Sequence, residues 1–149
     1  MKPSSESPVI ALRSPAHAAD WLATRTIFSE YAASLAVDLC FQNFDQELAD
    51  LPGEYADPRG ALLLAWVDGA VAGCCALRPF DACDYANAAE MKRLYVRPAY
   101  RGLGLGRLLT EGILDAARAA AYHCVLLDTL DDMEAARTLY EDLGFVEIP

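Results

Sequence analysis

From Arg97 to Leu109 the sequence reads RPAYRGLGLGRLL. Three glycines stand on alternate positions after an arginine, and the chain then runs straight into an apolar helical pattern. A dinucleotide fingerprint would require G-x-G-x-x-G, but Gly102, Gly104 and Gly106 are followed by Arg107, with no third glycine in register. A P-loop is excluded as well, because no Gly-Lys-Ser/Thr closes the turn. What remains is physical: glycine lets the backbone come close to a ligand, and the first turn of a helix offers amides without intrahelical partners. Such a turn suits an anion, most often a phosphate.

Charge points the same way. From Lys92 to Arg107 the chain carries Lys92, Arg93, Arg97, Arg101 and Arg107 and no acidic residue, within a protein of formal net charge -10. The local excess fits a multiply charged anion, with a solvated basic face as the alternative. The overall acidity argues against a nucleic-acid partner and against an anionic membrane surface. With 149 residues, 54% of them hydrophobic, the chain is expected to form one domain over residues 1–149 with a proper core. Five cysteines, Cys40, Cys74, Cys75, Cys83 and Cys124, form no C-x-x-C pair and suit free thiols in a reducing cytoplasm. No stretch is long and apolar enough for export or a membrane span. His17 and His123 have no ligand partner at useful spacing, so no metal is expected.

Working outward, SPVIALRS is a short strand, and Ser14-Pro15 reads as the cap and first position of a helix with the stripe Trp21, Phe28, Tyr31, Leu35 and Leu39. Residues 41–60 read as a large loop region with a short helix, broken at Pro52-Gly53 and Pro58. ALLLAWV and AVAGCCALRP flank Asp68-Gly69, a pair favoured in two-residue hairpins. AAEMKRLYV is the next strand, and a helix from Gly104 carries Leu105, Leu108, Leu109, Ile113, Ala116, Ala117 and Ala120 inward. CVLLDT is a further strand. Ala136, Leu139, Tyr140 and Leu143 mark a last helix closed by Gly144, and FVEIP starts a terminal strand. These elements predict an α/β fold with a mixed sheet and helices on both faces.

The stretch EMKRLYVRPAYRGLGLGRLLTEGI resembles the acyl-CoA-binding core of the GNAT superfamily of N-acetyltransferases, whose signature is Arg or Gln, two residues, Gly, one residue, Gly or Ala. ARTLYEDLGF, from Ala136 to Phe145, is similar to the A-x-x-L-Y-x-x-x-G-F pattern on that family's last helix. The resemblance covers Ala61 to the end, while the first sixty residues match in element order alone. Met133 stands where many members carry Asn, and the sequence ends as the final strand begins, which implies an abbreviated last hairpin.

The resemblance implies a mostly antiparallel central sheet with a splayed parallel strand pair, and acetyl-CoA as co-substrate without a metal. Backbone groups of Leu94, Tyr95 and Val96 would pair with the pantetheine arm. Arg101, Gly102, Leu103, Gly104, Leu105, Gly106 and Arg107 would hold the pyrophosphate. Glu90 occupies the position where some members carry a general base, with a solvated strand-end carboxylate as the other reading. The backbone amide near Val96 would hold the oxyanion, and Tyr140 matches the tyrosine that protonates the departing thiolate, unless it is a plain core residue. Phe41, Phe44 and Tyr55, with Glu47, lie where members build the acceptor pocket, and the aromatics could equally anchor a long loop. The implied activity is acetyl transfer to a primary amine, of a small molecule in the first instance, by direct attack on the thioester. The other class left open is a non-catalytic acyl-CoA-binding or sensing module. A homodimer is compatible with either.

Overall fold

The computed structural model describes residues 7–35, 43–128 and 134–148 of the chain, apart from the side chains of 134 and 135. Five strands form one sheet in sequence order: β1 (Ile10–Arg13), β2 (Ala61–Val67), β3 (Ala70–Pro79), β4 (Ala88–Val96) and β5 (Cys124–Leu126). The first three junctions are antiparallel and β4–β5 is parallel. Helices α1 (Ala18–Ser34) and α2 (Phe44–Asp50) precede β2, α3 (Leu105–Ala119) links β4 to β5, and α4 (Glu134–Asp142) follows β5. The expected mixed α/β sheet is therefore observed.

Local chemistry accounts for the junctions. Asp68 and Gly69 both take positive φ, 50° and 84°, the pairing a two-residue hairpin requires. Asp68 also ties in β1: its Oδ1 accepts from the Val9 amide at 2.9 Å while its own amide donates to the Val9 carbonyl at 2.8 Å. Two buried clusters occupy opposite sheet faces. Leu105, Leu109, Ile113 and Ala117 of α3 pack with Ala65, Cys75, Leu77, Ala89 and Met91. Ile27 and Phe28 of α1 and Phe44 of α2 pack with Leu62, Leu64, Cys74 and Ala76. Adjacent Cys74 and Cys75 thus face opposite ways, as strand alternation demands.

Several expectations are corrected. Helix α1 begins three residues later than the Ser14-Pro15 signal: His17 is the cap residue, and Asp20 completes a reciprocal capping box. The Asp20 carboxylate accepts from the amide of Ala16 and from Arg13, which hold it below the usual carboxylate range. The buried face of α1 is Asp20, Thr24, Ile27 and Phe28; Trp21 and Tyr31 lie at its margin, and Leu39 falls outside the described residues. Leu108 of α3 is exposed, and Thr110 takes a buried place instead, its hydroxyl satisfied by the Gly106 carbonyl. Residues 145–148 form no strand, and Val146 is 81% exposed.

Candidate functional site

Strand β5 pairs with β4 only at Ala88, Ala89 and Glu90, opposite Cys124, Val125 and Leu126. From Met91 to Val96 the β5-facing edge of β4 has no strand partner among the described residues. The cause lies within β4. Arg93 and Leu94 together oppose Cys75 of β3, and Arg93 takes φ +62°, so an extra residue bends the strand just past the last β5 pair. An arginine tolerates the left-handed region poorly, and here it is over-determined by contacts. Its guanidinium grips Glu47 of α2 through Nε at 3.0 Å and Nη2 at 2.8 Å and lies over the Phe44 ring.

Beyond the bulge, Leu94 and Val96 pack on the α3 side while Tyr95 meets Tyr31 of α1 edge-on at 6.0 Å. Tyr140 of α4 joins the α3-side cluster together with Leu94, Val96, Val125 and Leu127, so it belongs to the gap that the two strands leave. Its ring meets Phe145 edge-on at 5.7 Å and borders a cavity of about 560 Å³ between β5 and α4. Burial pushes its hydroxyl pKa up, which keeps it protonated at neutral pH.

The turn after β4 is built from backbone. Gly102 and Gly104 sit at φ 89° and 78°, and a Cβ at either would meet no atom within 4 Å. Glycine is thus needed for conformation, and the surrounding space is open. Flanking amides are spent: Arg101 donates to the Pro98 carbonyl at 3.4 Å and Leu108 to that of Gly104 at 3.1 Å. Between them, the amides of residues 102–107 have no backbone or side-chain acceptor among the described residues. Leu105 is 2% exposed, so its side chain anchors α3 in the core and only its amide faces the turn. Gly106 lies under α4, where an added Cβ would reach Leu139 at 3.4 Å.

Two members of the basic run are consumed by distant carboxylates. Arg97 forms a two-pronged pair with Glu30 at 2.9 and 2.7 Å and donates to the Val71 carbonyl, and Arg93 is held by Glu47. Arg107 has only long contacts, 3.6 Å to Glu111 and 3.9 Å to Asp142. Arg101 folds back to the Val96 carbonyl through Nε at 3.1 Å, which leaves its terminal nitrogens beside the turn. A cradle for a phosphate therefore rests on amides and Arg101 more than on the whole run.

A different constellation occupies the α1/α2 side of β4. Glu90 receives two Arg78 nitrogens on the same oxygen, Oε1, each at 2.7 Å, and Oε2 has no protein partner among the described residues. Arg78 also reaches Glu54 at 3.3 Å and lies over Phe80. Lys92, two residues on and on the same face, is half-buried. Desolvation and the neighbouring Arg93 and Arg78 charges push its pKa down. Tyr55 is 4% exposed, and burial reinforced by the Glu47 carboxylate drives its hydroxyl pKa up. Phe44 and Tyr55 are thus core residues beneath the Arg93–Glu47 pair, whereas Phe41 and Met133 lie outside the described residues. Lys92 and Arg93 stand out in the sequence as part of the basic run, whereas Arg78, which joins them on this face, does not. The signal available was charge inside a strand otherwise apolar, which demands buried partners or a ligand.

Cys74 and Cys75 are fully buried, and burial raises both thiol pKa values, so neither is a nucleophile. No metal-binding cluster occurs among the described residues, and no described helix is long and apolar enough to cross a membrane.

Residues 21–145 match the acetyltransferase (GNAT) family. An uncharacterized N-acetyltransferase of Schizosaccharomyces pombe is 40% identical over 146 residues, which cover 97% of this chain and 85% of that protein. Among solved structures, yncA of Salmonella typhimurium, described with its cofactor acetyl-CoA, superposes with a TM-score of 0.69 at 26% identity, covering 92% of this chain and 79% of that one. An acetyltransferase of Streptococcus agalactiae gives a TM-score of 0.75 at 25% identity over 94% and 85% of the two chains.

Proposed function

Since the chain belongs to the acetyltransferase (GNAT) family and is an acetyl-CoA-dependent N-acetyltransferase, we propose that it acetylates the primary amine of a small molecule by direct attack on the thioester. The observation that carries this reading is the gap between β4 and β5, bordered at one end by unpartnered amides and along its side by Tyr140. In this reading the open edge of β4 at Leu94, Tyr95 and Val96 pairs with the pantetheine arm as an added strand would. The amides from Gly102 to Arg107, with Arg101, take the pyrophosphate at the positive end of α3. Both fit the residues present, because the edge and the cradle lack protein partners among the described residues.

An alkylammonium with a pKa of about 10.4 is only ~0.1% neutral near physiological pH, so the acceptor must lose a proton before it attacks. Glu90 Oε2 is the group we assign to that task, directly or through one water, while Arg78 fixes the carboxylate by its other oxygen. Attack places negative charge on the thioester oxygen, which the amide near Val96 is assigned to hold. Collapse of this intermediate breaks the carbon–sulfur bond, the leaving thiolate takes its proton from the Tyr140 hydroxyl, and the surplus proton on the new amide nitrogen passes through water to restore the tyrosine. Free thiols at Cys74, Cys75, Cys83 and Cys124 suit a reducing cytoplasm as the place of action.

Release of free coenzyme A in the presence of an amine panel is the direct test. Thiol appearing only when both acetyl-CoA and an amine are present is the expected result. Tight acetyl-CoA binding with no release for any amine would replace the reading with that of a binding or sensing module.

A further inference from the structure

Resting on the transferase reading, the geometry of the acceptor side points to a narrower class of substrate: we propose that the acceptor is an amino acid, whose carboxylate is received by Lys92 while its amine lies at Glu90. Three cations and three carboxylates line the α1/α2 face of β4 and its neighbours. Arg93 is matched by Glu47, and Arg78 by Glu90 and Glu54. Lys92 makes no ion pair and no side-chain hydrogen bond among the described residues, although it stands between those pairs and is half-buried. A partly desolvated ammonium between two guanidinium groups is unfavourable in the empty protein and would gain strongly from an incoming anion.

Position makes the pairing specific. Glu90 and Lys92 are alternate residues of one strand, so both project to the same face about 6.6 Å apart along β4. Across on β3, Lys92 has Ala76 opposite it, a buried methyl group that offers no counter-charge, whereas Glu90 has Arg78. Among the described residues, a carboxylate oxygen and an ammonium that make no ion pair therefore lie on one face of β4. The complementary ligand carries a cation and an anion a few ångströms apart, and the amine and carboxylate of one amino acid meet that demand. A simple alkylamine would satisfy Glu90 and bring Lys92 no anion beyond the Glu90 and Glu47 carboxylates already near it. The lowered pKa of Lys92 agrees with this: burial and the Arg93 and Arg78 charges outweigh the opposing pull of Glu90 and Glu47.

The test uses amino acids, each paired with its methyl ester, in the coenzyme-release assay. The acid should exceed its ester in kcat/KM by about 10- to 100-fold in the wild-type protein, as expected for a charge-assisted contact. Lys92→Met should raise KM for the acid by a similar factor with a smaller change in kcat, and the acid-to-ester ratio should fall toward one. Lys92→Arg should recover part of the ratio. Without substrate, Lys92→Met should melt no lower than wild type, since removing an unpaired buried charge cannot break an ion pair. Equal use of acid and ester by the wild type would overturn the proposal, as would equal loss on both substrates in Lys92→Met. Alkylamines turning over with no preference for acids would sink this inference and leave the transferase reading intact. No release with any amine would defeat both.

Discussion

The two halves of the site are built from different materials. On the proposed donor side, the turn from Arg101 to Arg107 offers backbone amides on a glycine frame, and Arg101 beside it is anchored to a main-chain carbonyl. On the acceptor side, β4 presents side chains, Glu90, Lys92 and Arg93, each tied to or surrounded by charges from β3 and from segments before β2. Backbone amides cannot be mutated away, and they recognise phosphate irrespective of what is acetylated. Side chains can be exchanged singly. On the proposed reading, the amide turn is the half that a side-chain exchange cannot remove, and specificity is assigned to the face where charged side chains meet. Four single substitutions and one double variant probe that division.

The largest effect is expected at the junction of the halves. Tyr140→Phe removes one hydroxyl and little volume, so if Tyr140 protonates the leaving thiolate, kcat should fall by ~10² to 10⁴ with acetyl-CoA affinity nearly unchanged. Steady-state kinetics together with calorimetric binding of acetyl-CoA decide the matter. A wild-type kcat would return Tyr140 to a packing role beside Phe145.

Next comes the tie that shapes the acceptor side. Arg93→Met strands the Glu47 carboxylate and releases the bulge, which should cost about 3–5 kcal/mol in urea unfolding, the usual penalty for breaking a buried pair. Arg93→Met with Glu47→Leu should be less unstable than the single variant, because no charge is left unpaired. If the single variant is as stable as wild type, Arg93 does not hold the bulge.

This contrast also explains what the sequence disclosed. The donor half was legible because its determinants are local: Arg101, Gly102, Gly104 and Gly106 follow a spacing that implies a glycine turn before a helix, and φ values of 89° and 78° at two of them bear that reading out. The Asp68-Gly69 hairpin was legible for the same reason. The basic run misled, because the carboxylates that neutralise Arg93 and Arg97 lie 46 and 67 residues away, at Glu47 and Glu30. Nothing in a linear reading pairs them. The start of α1 was misplaced because Ser14-Pro15 is a good local cap signal, yet Asp20 gains more by closing a box at His17 and binding Arg13. The bulge had no glycine or proline to announce it, only an arginine inside a strand.

The donor half can be broken through its backbone. Gly104→Val places a β-branched residue at φ 78°, which should cost about 1–2 kcal/mol of stability. It should also raise KM for acetyl-CoA by roughly tenfold, while KM for the acceptor changes little. Equal changes in both KM values would mean that the turn does not separate donor from acceptor binding.

The smallest effect, and the most informative about the acceptor half, is expected from Glu90→Gln. The variant keeps size and a hydrogen-bonding oxygen for Arg78 but loses the ability to take a proton. Below its pKa the acceptor gains about tenfold in neutral fraction for each pH unit, so the need for a base shrinks as pH rises. The ratio of wild-type to variant kcat/KM should therefore be largest, ~10-fold, near about pH 6.5 and fall to within about twofold near about pH 9. A roughly tenfold effect is smaller than general-base catalysis usually contributes, in keeping with a carboxylate that has one oxygen already committed to Arg78. A loss independent of pH would instead make Glu90 a positioning group that holds the ammonium before another group removes its proton. A variant that matches wild type at every pH would remove Glu90 from the reaction altogether and leave Lys92 as the charged side chain to follow on that face of β4.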